Sequence, residues 1–234
     1  MRAAFFNGPK DIEVADRPDP VVVAPTDAVV RVVLSCVCGS DLWYYRGESD
    51  HPVGSIGHEF IGVVEQVGDA VGGLAIGDLV IAPFIYSDGT CPHCQAGVTL
   101  SCVAGGTFGD GVIDGGQGEA VRVPLAGSTL VKAPGSGYSD ETLRSLLTLS
   151  DVMSTGHHAA VSARVQPGHT IAAGPSRHPA PDPSPRGELM HKRTLGTSGL
   201  EARIPSLRRS AQAPDHKIDH YQRLVNEQEG STQP

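Results

Sequence analysis

At 234 residues, with 39% apolar and 19% charged side chains, the chain can hold one large domain, or a domain of about 150 residues with something attached. No apolar run approaches the roughly 20 residues that a membrane helix needs, and Met1-Arg2-Ala3-Ala4-Phe5-Phe6 lacks the long apolar core of a secretory signal, so the expected location is cytoplasmic, with no membrane partner. The net charge of −8 is uneven: residues 1–174 carry 9 Lys/Arg against 19 Asp/Glu and residues 175–234 carry 9 against 7, which argues against a nucleic-acid partner and predicts a boundary near 174.

In chain order, residues 2–6 and 11–16 read as two short strands around a turn at Asn7-Gly8-Pro9. Ala28 to Ser35, β-branched and mostly apolar, predicts a buried strand that delivers Cys38 just past its end. Ser40 to Tyr45 suits a short helix capped by Ser40 or Asp41. Ile61 to Val67 and Leu79 to Pro83 are expected strands, the second entered through Gly77-Asp78. Tyr86 to Gly118 is rich in Gly and Cys and too long for an ordinary loop, so it needs a staple of its own. Val121 to Pro124 and Thr129 to Ala133 return as strands. Ser139 to Leu149 reads as a helix with Ser139 as cap and Asp140 and Glu141 at its positive end. A second helix follows Asp151 to about Val165, Pro167-Gly168 breaks it, and His169 to Ala173 starts a strand. Short strands joined by Gly-rich turns predict a mainly β fold with short helices, a compact β-barrel or sandwich and not alternating βαβ units. Five prolines within residues 175–186 predict a linker, and residues 187–234, apart from a weak helix around Asp219 to Asn226, are expected to be disordered.

Five cysteines form two clusters, Cys36 and Cys38, then Cys91, Cys94 and Cys102. In a reducing compartment such spacing favours metal over disulfides. Cys38 and His58, each at a turn beside a β-like segment, offer the thiolate and imidazole that a catalytic zinc with one open position requires. In Cys-x2-Cys-x7-Cys, two thiolates three residues apart can share a tetrahedral ion. The adjacent His157 and His158 point to different helix faces, so a packing or surface role is expected.

Cys38-Gly39-Ser40-Asp41, Gly57-His58-Glu59 with Gly62 and Gly68, and the Gly77-Asp78 strand entry occur together and in order. With these motifs the sequence resembles the zinc-dependent alcohol dehydrogenases of the medium-chain dehydrogenase/reductase superfamily over about residues 1–174. The resemblance implies a GroES-like, partly open β-barrel as a zinc-binding catalytic domain at 1–174, with 175–234 a Pro-rich linker and tail. It implies that Cys38 and His58 ligate the catalytic zinc, that Glu59 is the neighbouring carboxylate that orients the site or approaches the metal, and that Ser40 takes the alcohol's proton. Asp151 is the third ligand on this reading, in the manner of relatives resembling formaldehyde dehydrogenases; the alternative is that it only caps the following helix. The histidine that many members have five residues past the cysteine ligand is Trp43 here, which interrupts the usual proton relay.

The family's second, structural zinc implies Asp88, Cys91, Cys94 and Cys102 as ligands, with Asp88 where relatives have cysteine. A three-cysteine site completed by another group, His93 as a substitute, and reduced thiols without metal stay open. Intact relatives use NAD(P) to interconvert an alcohol and an aldehyde, held on a domain whose glycine-rich turn is not found here: Thr170-Ile171-Ala172-Ala173-Gly174 starts the strand and Pro175-Ser176-Arg177-His178-Pro179 follows. The expectation is a catalytic domain cut near Gly174 and weak or inactive alone, with a non-catalytic GroES-like zinc-binding interaction module as the alternative and self-association left open. Residues 190–200 are also similar to the opening of aldo-keto reductases, from which no function is carried over.

Overall fold

The computed structural model of the protein describes residues 1–172, 190–195 and 200–205. The chain divides into two compact units, residues 1–156 and 157–234. In the first, β1 (Arg2–Gly8) and β2 (Asp11–Asp16) form a hairpin, and β3 (Ala28–Ser35) leads to the helix α1 (Asp41–Arg46). After β4 (Gly54–Ser55) come β5 (Phe60–Val67), β6 (Leu79–Ala82) and β7 (Ile85–Tyr86), then α2 (Pro92–Gln95) and β8 (Gly106–Thr107). The unit closes with β9 (Ala120–Val123), α3 (Ala126–Thr129), β10 (Val131–Lys132), α4 (Asp140–Leu147), a 3-10 turn at Thr148–Ser150 and the start of α5 (Val152–Ser162).

The main sheet has the order β10-β6-β5-β3-β9, and a smaller one the order β2-β1-β4. Residues 117–119 tie the two together: Gln117 O accepts from Ala4 N at 2.8 Å, while Glu119 N donates to Arg2 O and Glu119 O accepts from Val32 N. The sheets curl into a partly open barrel. Alternation along the strands then sorts the side chains. Val30, Phe60, Val64, Val80, Ala82, Val121 and Val123 point inward and are fully buried. Ile61 and Ile81 face outward and are buried by α4, whose Leu143, Leu146 and Leu147 recur at helical spacing. Ser139 starts that helix as expected, its hydroxyl accepting from Thr142 N at 3.3 Å.

Differences from the sequence reading are local. β1 runs on to Gly8 and the turn moves to Pro9-Lys10, because Lys10 takes the left-handed conformation, φ 65°. Ser40 precedes α1 without any side-chain cap bond. A short helix, α3, fills the stretch between the two expected strands and takes in Thr129, turned by Leu125 at φ 52°. In the second unit β11 (Thr170–Ala172) pairs in parallel with β13 (Leu200–Pro205), which pairs antiparallel with β12 (Met190–Leu195). Strands β12 and β13 lie within the stretch expected to be a tail; the β-branched Thr194 and Ile204 favour strand, and Gly196 and Gly199 stand between the two in sequence. The expected linker at 175–186 and helix at 219–226 lie outside the described residues.

Candidate metal centres

β3 and β5 run antiparallel with Ser35 opposite Phe60. The chain leaves β3 through Cys36 and Cys38 and enters β5 through His58 and Glu59, so this one register brings together side chains 20 residues apart in sequence. Gly57 makes the entry sharp: its φ is 94°, and a Cβ there would collide with the Gln117 side chain. Asp151 arrives from the other side. α4 lies on the outer face of β5 and β6, and Ser150 O accepts from Phe84 N at 3.0 Å, pinning the 3-10 turn that ends at Asp151.

The ligand atoms of Cys38, His58 and Asp151 all lie within 4.8 Å of one another. Cys38 Sγ is 3.9 Å from Asp151 Oδ2, and His58 Nε2 is 3.7 Å from the same oxygen. Zinc bonds of about 2.3 Å to sulfur and about 2.1 Å to nitrogen or oxygen put tetrahedral ligands about 3.4–3.6 Å apart, so the two distances to Asp151 Oδ2 fit a shared zinc ion after shifts of a few tenths of an ångström. A thiolate, an imidazole and a carboxylate leave one tetrahedral position open. Asp151 Oδ1 accepts from the Thr155 hydroxyl at 2.8 Å, one turn further along α5, while Oδ2 faces Cys38 and His58.

Around these three lie residues that the sequence reading had not assigned. Asp41 is buried; its Oδ2 accepts from Cys38 N at 2.9 Å and from Gln117 Nε2 at 3.2 Å, while Oδ1 is 3.5 Å from His58 Nδ1. Burial pushes its carboxyl up, and the neighbouring His58 pulls it back. The signal was present as the fourth residue of Cys38-Gly39-Ser40-Asp41, read only as a cap. The Phe84 ring stands edge-on to His58 at 6.4 Å. Asp41 and His58 also border a cavity of about 220 Å³ shared with Tyr44, His51 and Phe108. Ser40 is half-buried at the start of α1, Trp43 is 54% exposed, and Glu59 is 2% exposed beside His58. His157 and His158 are on the surface.

The second group lies in the lobe closed at its base by the pairing of Ile85 with Thr107 and Tyr86 with Gly106. Asp88, Cys91, Cys94 and Cys102 bring their ligand atoms within 4.8 Å of one another. Cys91 and Cys102 sulfurs are 4.0 Å apart, against about 3.8 Å for two thiolates on one tetrahedral zinc. Asp88 Oδ1 is occupied by the N–H groups of Cys91 and Thr90, at 2.9 and 2.8 Å, which hold the carboxyl well below its usual range and leave Oδ2 for an ion. The N–H groups of Cys94 and Val103 pull the Cys91 thiol down, whereas burial, with Cys91, Cys102 and Asp88 as neighbours, pushes Cys94 up to about 12. Without a cation the cluster resists holding several thiolates at once. His93 is not part of the group.

Residues 24–135 match the family model described as the alcohol dehydrogenase GroES-like domain. The medium chain reductase/dehydrogenase ucsI of Acremonium sp. is 42% identical over 165 residues, covering 70% of this chain and 55% of that protein. The glutathione-independent formaldehyde dehydrogenase of Pseudomonas aeruginosa is 38% identical over 195 residues, covering 74% and 48%. Among solved structures, the alcohol dehydrogenase TADH from Thermus sp. ATN1 superposes with a TM-score of 0.67 at 34% identity, covering 75% of this chain and 51% of that one. The chain spans about half the length of the curated relatives it matches.

Proposed function

The chain belongs, through its GroES-like domain at residues 24–135, to the zinc-dependent alcohol dehydrogenases of the medium-chain dehydrogenase/reductase superfamily, and from that premise we propose that it supplies the zinc- and substrate-binding part of an enzyme interconverting a small alcohol and its aldehyde. The observation that carries this reading is the convergence of Cys38, His58 and Asp151 with one coordination position to spare. Zinc bound there supplies a Lewis acid that lowers the proton affinity of an alcohol oxygen. Asp41 Oδ1 faces Nδ1 of His58, and Nε2 is turned toward Asp151 and the proposed metal. Ser40 takes the alcohol's proton, and Glu59 contributes a buried negative charge beside the ligands. Asp88, Cys91, Cys94 and Cys102 hold a structural zinc that fastens the 87–105 lobe.

The catalytic domain on this reading extends over residues 1–174, and the hydride partner is NAD(P), carried in intact relatives by a separate nucleotide-binding domain. Five free cysteines suit a reducing, cytoplasmic setting. The test is cobalt substitution of the purified chain followed by titration with simple alcohols and aldehydes. Ligand-dependent shifts of the cobalt bands are expected, and bands that no alcohol or aldehyde perturbs contradict the reading. Assayed alone with NAD or NADP, the chain is expected to turn over little or nothing; rates matching an intact family member contradict that part.

A further inference from the structure

Cys36 and Glu59 continue the β3–β5 ladder one residue past its last pair, with Cys36 N donating to Glu59 O at 3.2 Å. Residues opposed in this way carry their side chains on the same face. The Cys36 thiol accordingly donates to Glu59 Oε2 at 2.9 Å. The other oxygen, Oε1, is buried and is the one fully buried side-chain polar atom without a hydrogen-bond partner among the described residues. No Lys, Arg or His forms an ion pair with Glu59 among them either. A side chain that is 2% exposed, with one oxygen held by a thiol and the other unpartnered, has acceptor capacity left for a further group. Cys36 is two residues before Cys38 and Glu59 is next to His58, so both flank proposed ligands.

We propose that Cys36 is a positioning residue for the catalytic metal: its thiol fixes Glu59 through Oε2 and keeps Oε1 and the negative charge beside the Cys38, His58 and Asp151 group. This rests on the zinc reading above. A cysteine in this place also fills space, since Cys36 packs against the cluster around Ile61, Ile81 and Leu147. The two roles part in their response to substitution. Packing alone tolerates valine and gains nothing from a hydroxyl; positioning needs a donor and gains nothing from bulk.

The experiment is cobalt(II) titration of the full chain and of its Cys36→Val, Cys36→Ser and Glu59→Gln variants, reading the visible bands and the dissociation constant from chelator competition. The thiolate-rich site of Cys91, Cys94 and Cys102 serves in each sample as a check that the protein is folded. Cys36→Val is expected to weaken cobalt at the Cys38 site by about tenfold, the scale found for partners that orient metal ligands. Cys36→Ser restores the affinity, and in Glu59→Gln adding Cys36→Val changes nothing further. If Cys36→Val fails to fold, the comparison of Cys36→Ser with Cys36→Ala decides by the same criterion. Equal affinities in the Val and Ser variants overturn the positioning role while leaving the metal site standing. Absence of cobalt bands from the Cys38 site in the unsubstituted chain overturns the metal reading and this inference with it.

Discussion

Asp41 Oδ1 stands 3.5 Å from Nδ1 of His58, and its other oxygen holds the backbone N–H of Cys38 at 2.9 Å. One buried carboxylate thus faces the imidazole and fixes the turn that presents the thiol. Its removal acts on both proposed ligands at once. Asp41→Asn is expected to weaken zinc at this site by about 10–100-fold while leaving the ion at Cys91, Cys94 and Cys102 in place. Competition with a colorimetric chelator, which resolves the two ions by affinity, checks it; two ions released as in the unsubstituted chain contradict it.

Gly57 is where the backbone itself sets the His58 position. With φ at 94° and Gln117 filling the space where a Cβ would lie, Gly57→Ala is expected to destabilise the fold by about 1–3 kcal/mol. Thermal or urea unfolding measures this. A variant as stable as the parent means that the 56–58 turn and Gln117 shift freely.

Asp88 has one oxygen spent on two backbone N–H groups, and its carboxylate also neighbours the Cys94 and Cys102 thiols. Asp88→Cys is expected to keep the structural ion and Asp88→Ala to lose it on dialysis against a chelator. Removing the ion from the parent is expected to lower the melting temperature, because metal-binding free energy is coupled to folding. A melting temperature unmoved by metal removal contradicts the stapling role.

Lys132 on β10 and Asp78 before β6 are paired at 2.7 Å, and the hydrogen bond from Lys132 holds the Asp78 carboxyl below its usual 3.8. A depressed carboxylate stabilises the fold fully above its unfolded-state value and loses that contribution as acid titrates the folded form. Asp78→Asn is therefore expected to be less stable than the parent at pH 7 and equal to it near pH 2. A difference that persists unchanged in acid contradicts the assignment. The pair is partly exposed, so the effect also shrinks in high salt.

How much of this was legible beforehand follows from the range over which each feature is encoded. Strand β3 was read with its observed limits, Ala28–Ser35, because a β-branched run bounded by polar turns is a local signal. The ligand candidates were legible because Cys38 and His58 sit in short motifs and Asp151 at a helix start. Asp41, Gln117 and Thr155 were not read as parts of the site. Asp41 reaches His58 only because β3 and β5 pair in one register, and Gln117 comes from a segment that joins the two sheets. The Cys36–Glu59 bond is similarly a cross-strand contact that neither residue announces in sequence. The short helix α3 depends on Leu125 in a left-handed conformation, for which leucine has no preference.

The most direct test of the central claim is the zinc content of the purified chain and of Asp151→Ala by elemental analysis. About two zinc ions per chain are expected for the parent and about one for Asp151→Ala, the remaining ion being bound to thiolates. A parent with no zinc after loading, or an Asp151→Ala variant that keeps both ions as tightly as the parent, contradicts the assignment of Cys38, His58 and Asp151 as the catalytic metal site.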